Sequence, residues 1–275
     1  MVWVEILSIG DEILQGDVLD SNSHWLSRGV ARRGGRIRRI TVLPDQLDVV
    51  ADEIRAALMR ANDLVITTGG LGPTADDRTL EAVSQALNEP LELDAEALEL
   101  VQQRYADLAE RGYVSQSELT ESRRKMARIP RGSEPVPNPV GGAPACLVRT
   151  GSSLLISLPG VPEELKGIWR ESLGPVLDPL FGSHGFAERA LLVECSDESL
   201  MASTMSQVAE EYPDVYVKSR ARAFGPGTQV MVTLSARAES EDAARGSVAA
   251  AIEVLKERFQ KQGLPSKEID PDAVA

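Results

Sequence analysis

The stretch Asp63-Leu64-Val65-Ile66-Thr67-Thr68-Gly69-Gly70-Leu71-Gly72-Pro73-Thr74-Ala75-Asp76-Asp77-Arg78-Thr79 decides how this chain is read. Its opening residues form a compact apolar run of the kind buried on both faces of a parallel sheet. The glycines that follow let the backbone approach a ligand closely, and a helix predicted over residues 78–87 would offer N–H groups and partial positive charge to a phosphate. In an open parallel sheet, the carboxyl ends of the strands are where ligands bind. The run is not a Walker loop, since no Gly-Lys-Ser/Thr follows, and it is not a Gly-x-Gly-x-x-Gly dinucleotide fingerprint. A plain glycine turn, with Asp76 and Asp77 capping the helix, is the competing reading.

Upstream, residues 2–9 read as an apolar strand that breaks at Gly10-Asp11-Glu12, and Ser21 or Asn22 then caps a helix carrying Trp25, Leu26 and Val30. A second strand over 36–43 ends at Pro44-Asp45. Leu47, Val50, Ile54 and Leu58 follow at helical spacing. The order is β-α-β-α-β, which predicts a mainly parallel sheet covered on both faces. Downstream, helices are predicted over 78–87, 94–111 and 117–128. A Pro- and Gly-rich loop runs through 130–144, two strands cover 145–149 and 154–158, and a helix begins at Pro162. A Gly/Pro-rich shift over 174–185 divides a first domain, 1–178, from a small α+β domain, 187–262, of order β-α-β-β-α. Residues 263–275 are expected to be a flexible tail.

With 29 basic against 42 acidic residues and a net charge of −13, the chain is no nucleic-acid coat. It lacks a basic, apolar leader and any apolar run of membrane length, so a cytoplasmic location without membrane contact is expected. Cys146 and Cys195 have no Cys-x-x-Cys context and are expected to be buried and structural. His24 and His184 are the only histidines. His24 is expected on a helix surface, and chemistry is left to carboxylates, hydroxyls and backbone amides.

Asp11 and Glu12 after the first strand, Asp45 after the second and Asp77 after the third bring carboxylates to one sheet edge. Hard oxygen donors beside a phosphate turn suit a divalent ion such as Mg²⁺, Mn²⁺ or Co²⁺, expected near Asp11 and Asp77. Solvent-exposed turn aspartates are the alternative. A substrate diphosphate would lie over residues 69–74, with Asp77 or Asp45 orienting or deprotonating water. In the second domain Lys218, Arg220 and Arg222 alternate in a strand and share one face. They are either a solvated stripe or a source of positive charge for the phosphate site.

Ser8-Ile9-Gly10-Asp11-Glu12-Ile13-Leu14, Gly16, Asp20-Ser21-Asn22-Ser23, the run from Gly69 to Asp77, Asn138-Pro139 with Gly142-Ala143-Pro144, and Leu158-Pro159-Gly160-Val161-Pro162-Glu163 together resemble a known family. They look like the N-terminal part of the competence/damage-inducible protein A (CinA-like) family, which has the molybdopterin-binding fold. The resemblance covers residues 1–262. It implies a three-layer α/β/α domain followed by a small KH-like domain, and a metal-dependent hydrolase splitting ADP-ribose into AMP and ribose 5-phosphate. The alternatives are a molybdopterin-binding protein of molybdenum-cofactor biosynthesis or a non-catalytic nucleotide-binding module.

By motif matching, Asp45 and Asp77 are the implied catalytic residues, with Asp11 in the acidic motif. Gly10, Asn22, Gly69, Gly70, Gly72, Pro73, Thr74, Asp76, Asn138, Gly142, Pro159, Gly160 and Glu163 form the implied substrate site, to which Arg220 is added from the basic stripe. Expected partners are a small nucleotide or pterin and further copies of the chain, as a dimer or trimer. Nucleic acid is not expected, because acidic residues outnumber basic ones in the second domain and no Gly-x-x-Gly loop joins its helices. Ala145-Cys146 stands where many relatives have Gly-Phe. The amidohydrolase domain of longer family members is absent from this sequence, so its activity is not expected.

Overall fold

A computed structural model of the protein describes residues 1–182, 185–221 and 228–271. The chain divides into two compact units: Met1–Ala31 with Gly35–Phe181, and Arg32–Gly34 with Gly182–Ala275.

In the first unit the elements run β1 (Trp3–Ile9), α1 (Asp11–Leu14), α2 (Ser21–Arg32), β2 (Arg36–Leu43), α3 (Leu47–Met59), β3 (Leu64–Thr68) and α4 (Thr79–Leu87). Next come β4 (Leu91–Leu93), α5 (Ala95–Glu110), α6 (Glu121–Lys125), β5 (Arg128–Pro130), β6 (Glu134–Val136), β7 (Ala145–Thr150) and β8 (Ser153–Leu158). The unit closes with α7 (Pro162–Gly167), a π-helical turn Ile168–Ser172 and α8 (Gly174–Phe181). The main sheet has the order β2-β1-β3-β8-β7-β6. Its first four strands are parallel, and β7 and β6 are antiparallel additions.

Alternation along the strands builds two cores. Leu7 and Ile9 of β1 and Val65 of β3 pack with residues of α3, α4 and α5. Val4 and Ile6, with Leu64 and Ile66, pack with α2, α7, the π turn and α8. The protein is therefore a three-layer α/β/α domain with a mainly parallel sheet. Among the described residues, the one buried charged side chain is Glu5, on the first of these faces, with no exposed surface.

The second unit holds β9 (Gly185–Glu194), α9 (Ser199–Glu211), β10 (Val215–Ala221), β11 (Gln229–Ala238), α10 (Glu241–Lys261) and β12 (Ser266–Ile269). Its antiparallel sheet has the order β10-β11-β9-β12. Val248, Ile252, Leu255 and Phe259 of α10 pack with inward residues of β9 and β11.

Several expectations change. Residues 266–269 are not tail: β12 pairs with β9 from Ser266↔Val193 to Ile269↔Ala190, so main-chain bonding orders a polar segment. The cap of α2 is Asp20, whose carboxylate accepts the Ser23 N–H at 2.9 Å, and not Ser21 or Asn22. The helix expected over 117–128 shrinks to α6, capped by Thr120, before β5 pairs with β4. Part of the Pro/Gly loop is strand β6, paired with β7. Both cysteines are free and buried, and burial pushes the Cys146 thiol up to about 12. His24 lies exposed on α2. His184 and Arg222 lie outside the described residues. Among the described residues, no helix is long and apolar enough to cross a membrane.

Candidate functional site

The carboxyl ends of β1, β2, β3 and β8 meet around a cleft of about 420 Å³. The Gly10 N–H donates to Leu43 O at 3.1 Å, tying the ends of β1 and β2. Asp45 then accepts the Asp11 N–H on Oδ2 at 2.9 Å. At the end of β3 the chain turns through Gly69 at φ 103° and Gly70 at φ 67°. A Cβ at Gly69 would stand 2.2 Å from the Ile9 carbonyl oxygen, and one at Gly70 would stand 2.3 Å from Thr79 Oγ1. These positions require glycine both for their backbone angles and for the space they leave. Thr79, first residue of α4, latches the turn: its hydroxyl donates to Gly69 O at 2.8 Å and its N–H to Gly70 O at 3.1 Å.

The segment 72–77 is braced from within and from behind. Asp77 Oδ2 accepts the Thr74 N–H at 2.8 Å and the Thr74 hydroxyl at 2.5 Å. Thr74 Oγ1 also approaches Asp76, but its single hydroxyl proton serves one carboxylate at a time. This Thr74 bond, then Asp76's own backbone, hold the Asp76 carboxyl below the usual range. Neither aspartate caps α4, whose first turn has no side-chain cap. On the outer side, Lys125 Nζ donates to Asp77 O at 2.7 Å, lies 3.5 Å from Gly72 O, and also donates to Thr74 O.

The opposite wall hangs on Asn138. Its Oδ1 accepts the Val140 and Gly141 N–H groups at 3.0 and 2.8 Å, while its Nδ2 donates to Ala143 O at 2.8 Å and Glu164 Oε2 at 2.6 Å. Arg104 donates to the carbonyls of Val140 and Gly141 from α5. Burial raises the Glu164 carboxyl above its ordinary range, opposed first by the Asn138 bond and then by the Arg104 charge.

Of the residues expected at the site, Gly10, Asp45, Gly69, Gly70, Gly72, Pro73, Asp76, Asp77, Gly142, Pro159 and Gly160 line the cleft. Asn22 stands behind it, donating from Nδ2 to Gly160 O at 2.7 Å and Thr68 Oγ1 at 3.2 Å. Asn138 and Thr74 are likewise scaffold residues and not lining ones. Glu163 points to Lys166 at 2.8 Å, and its neighbour Glu164 takes the place at the cleft. Asp11 does not line the cleft, whereas Glu12 does. Ala145 and Cys146 are buried in β7, so the departure from the relatives' Gly-Phe leaves Gly142 and Ala143 as the wall. Arg220 is exposed on β10 of the second unit, two residues from Lys218 and on the same face.

Tyr105 and Met126 also line the cleft, although helical spacing marks Tyr105 only as core. Among the described residues, the lining carries the carboxylates of Glu12, Asp45, Asp76, Asp77 and Glu164, and no Lys, Arg or His. Among the described residues, no three Asp, Glu, His or Cys side chains are grouped to hold a metal ion. Of the two residues expected near a metal, Asp77 lines the cleft and Asp11 does not, its N–H being held by Asp45.

Fold and site together define an α/β/α domain with a glycine-turn cleft at the strand ends, where ligands bind in open parallel sheets. Residues 5–179 match the family described as "Probable molybdopterin binding domain", and the chain belongs to that family as a CinA-like member. A protein of Pyrobaculum arsenaticum is 37% identical over 258 residues, covering 94% of each chain. One of Aeropyrum pernix is 38% identical over 259 residues, again covering 94% of each. The solved structure of CinA from Thermoplasma acidophilum, described as of unknown function, is 32% identical with a TM-score of 0.57, covering 64% of this chain and 98% of that one.

Proposed function

We propose that the cleft binds a phosphorylated pterin of the molybdopterin type. The observation that carries this reading is the lining itself: a glycine turn open to close approach on one side, and on the other carboxylates with no Lys, Arg or His among the described lining residues. Backbone amides suit a phosphate, and carboxylates accept hydrogen bonds from the N–H edge of a pterin ring. The cleft volume lies in the range of small-ligand sites. Membership of a family described as molybdopterin-binding supports the same ligand class.

A second reading, hydrolysis of a nucleotide diphosphate such as ADP-ribose, is favoured by Asp45 and Asp77 on the cleft lining, carboxylates able to orient or deprotonate a water. The five lining carboxylates oppose a bare phosphate in either ligand, so a counter-ion would accompany it. Since the side chains do not assemble a resident metal set, the form admitted would be the Mg²⁺, Mn²⁺ or Co²⁺ complex of the substrate. Asp45 or Asp77 would then orient or deprotonate the attacking water.

One experiment separates the two. The purified protein is titrated with a molybdopterin preparation, followed by pterin absorbance, and incubated separately with ADP-ribose and each metal while AMP is measured. Saturable pterin binding without AMP supports the first reading, and AMP release supports the second. Failure of both sinks the cleft as a site for either ligand.

A further inference from the structure

The segment 72–77 contributes Gly72, Pro73, Asp76 and Asp77 to the cleft lining, while Lys125, which is not among the lining residues, bonds the same segment. Lys125, the last residue of α6, reaches the main-chain oxygens of Gly72, Thr74 and Asp77. Its platform is well fixed. Thr120 caps α6, Arg123 donates to the carbonyls of Gln116 and Glu118 at 2.8 and 2.7 Å, and the Arg123 guanidinium lies 3.8 Å from the centre of the Tyr105 ring. Tyr105 itself lines the cleft, so the lysine's support and the ligand wall are one packed piece.

The peptide geometry gives this contact a direction. In a planar trans peptide the C=O and N–H point to opposite sides, and no cis peptide occurs among the described residues. With the carbonyls of Thr74 and Asp77 drawn onto Lys125, the N–H groups of Ala75 and Arg78 turn to the other side of the loop. We propose that Lys125 is the positioning residue of this loop, holding Gly72, Pro73, Asp76 and Asp77 at the cleft wall through the main-chain oxygens it binds and not by touching the ligand. The proposal rests on the cleft binding a phosphate-bearing ligand.

Asp77, Asp76 and Glu81 face Lys125 and favour its charge. Arg78 disfavours it, and burial is the larger effect, holding the ammonium below the ordinary lysine range. Rising pH therefore removes the charge and one of its three donors earlier than for a solvated lysine.

The test measures binding of ADP-ribose and of inorganic pyrophosphate, each with Mg²⁺, from neutral to alkaline pH. The proteins are the wild type, Lys125→Met and Lys125→Arg. Amide hydrogen exchange over residues 72–78 is followed in parallel. Lys125→Met is expected to weaken binding at least tenfold at neutral pH, to speed exchange in the loop, and to lose the alkaline fall in affinity. Lys125→Arg, which stays charged, is expected to keep most of the affinity and carry it to higher pH. Equal affinity and equal pH profile in wild type and Lys125→Met overturn the proposal. If Lys125→Met does not fold, an Arg variant whose affinity falls at the same pH as wild type overturns it instead. If the wild type binds neither probe, the ligand reading fails and takes the proposal with it, a result distinct from binding that ignores the lysine.

Discussion

Acids near the two ends of one strand meet opposite fates. On β1, Glu5 is completely buried and answered in full: Arg60 donates to it from Nε at 3.1 Å and from NH2 at 2.7 Å, Asn62 Nδ2 donates at 2.7 Å, and Arg39 stands 3.8 Å away. Glu53 extends the cluster by accepting from Arg60. Beyond the other end of β1, Glu12 joins Asp45, Asp76, Asp77 and Glu164 around a cleft whose lining has no basic residue. A charge inside the fold is tolerable only when paired, so the first cluster is explained by structure alone. The second has hydrogen-bond partners but no basic residue among the described lining residues, and that difference is what makes the cleft the candidate site.

The largest effect should come from breaking the paired end. Arg60→Met strands the Glu5 carboxylate with Asn62 and a distant Arg39, and removal of one partner of a buried pair costs about 3 kcal/mol. A fall in Tm of roughly 8 °C is expected. The folded fraction should bind cleft ligands as the wild type does. A melt combined with a pterin or ADP-ribose titration checks both halves, and a loss of affinity without a loss of stability would reverse the assignment of the two ends.

Gly69→Ala should cost somewhat less, about 2 kcal/mol, for a side chain forced into a positive-φ position. Here the new Cβ would meet the Ile9 carbonyl, so relief must come from moving the turn away from β1. Ligand affinity should fall together with Tm, in contrast to Arg60→Met. Unchanged affinity would separate the turn from the site.

How much of this could be read beforehand follows from what each residue type signals. The β-α-β-α-β order was legible because α2, α3 and the apolar strands each span several periods, and the glycine turn because only glycine tolerates its angles. The strands β4, β5 and β6 have three residues each, some of them proline or charged, too short to show a period. Glu163 and Glu164 are chemically identical neighbours, and only the phase of α7 decides which faces the cleft. Tyr105 reads as core because it packs there as well as lining the cleft. Lys125 ends the run Arg123-Arg124-Lys125 inside the helix expected over 117–128, and nothing in its spacing signals the loop it holds.

Asp77→Asn tests the unpaired end more gently. Asparagine can still accept the Thr74 N–H and can pair with its hydroxyl through the amide, so a stability change of about 1 kcal/mol or less is expected. If the protein hydrolyses ADP-ribose, turnover should fall by a factor on the order of 10². A large fall in Tm with turnover intact would make Asp77 a loop brace and nothing more, and would move the catalytic assignment to Asp45.

The smallest effect, and the one most specific to the contrast, is expected at Glu164. Burial raises its carboxyl above the ordinary range although Asn138 and Arg104 pull the other way, so the fold favours its neutral form. For such a group the stabilisation is complete below the unfolded-state value and is lost as pH rises through the higher folded value. Glu164→Gln keeps an oxygen to accept from Asn138 Nδ2 and removes the ionisation. At pH 4 the variant and the wild type should therefore melt together, while at pH 8 the variant should melt higher by about 2 °C. Glu5→Gln should instead lower the melting temperature, because it discards a charge that Arg60 requires. If Glu164→Gln instead melts lower at pH 8, its carboxylate is paired in the folded protein much as Glu5 is, and the distinction between a satisfied end and a waiting end of the sheet does not hold.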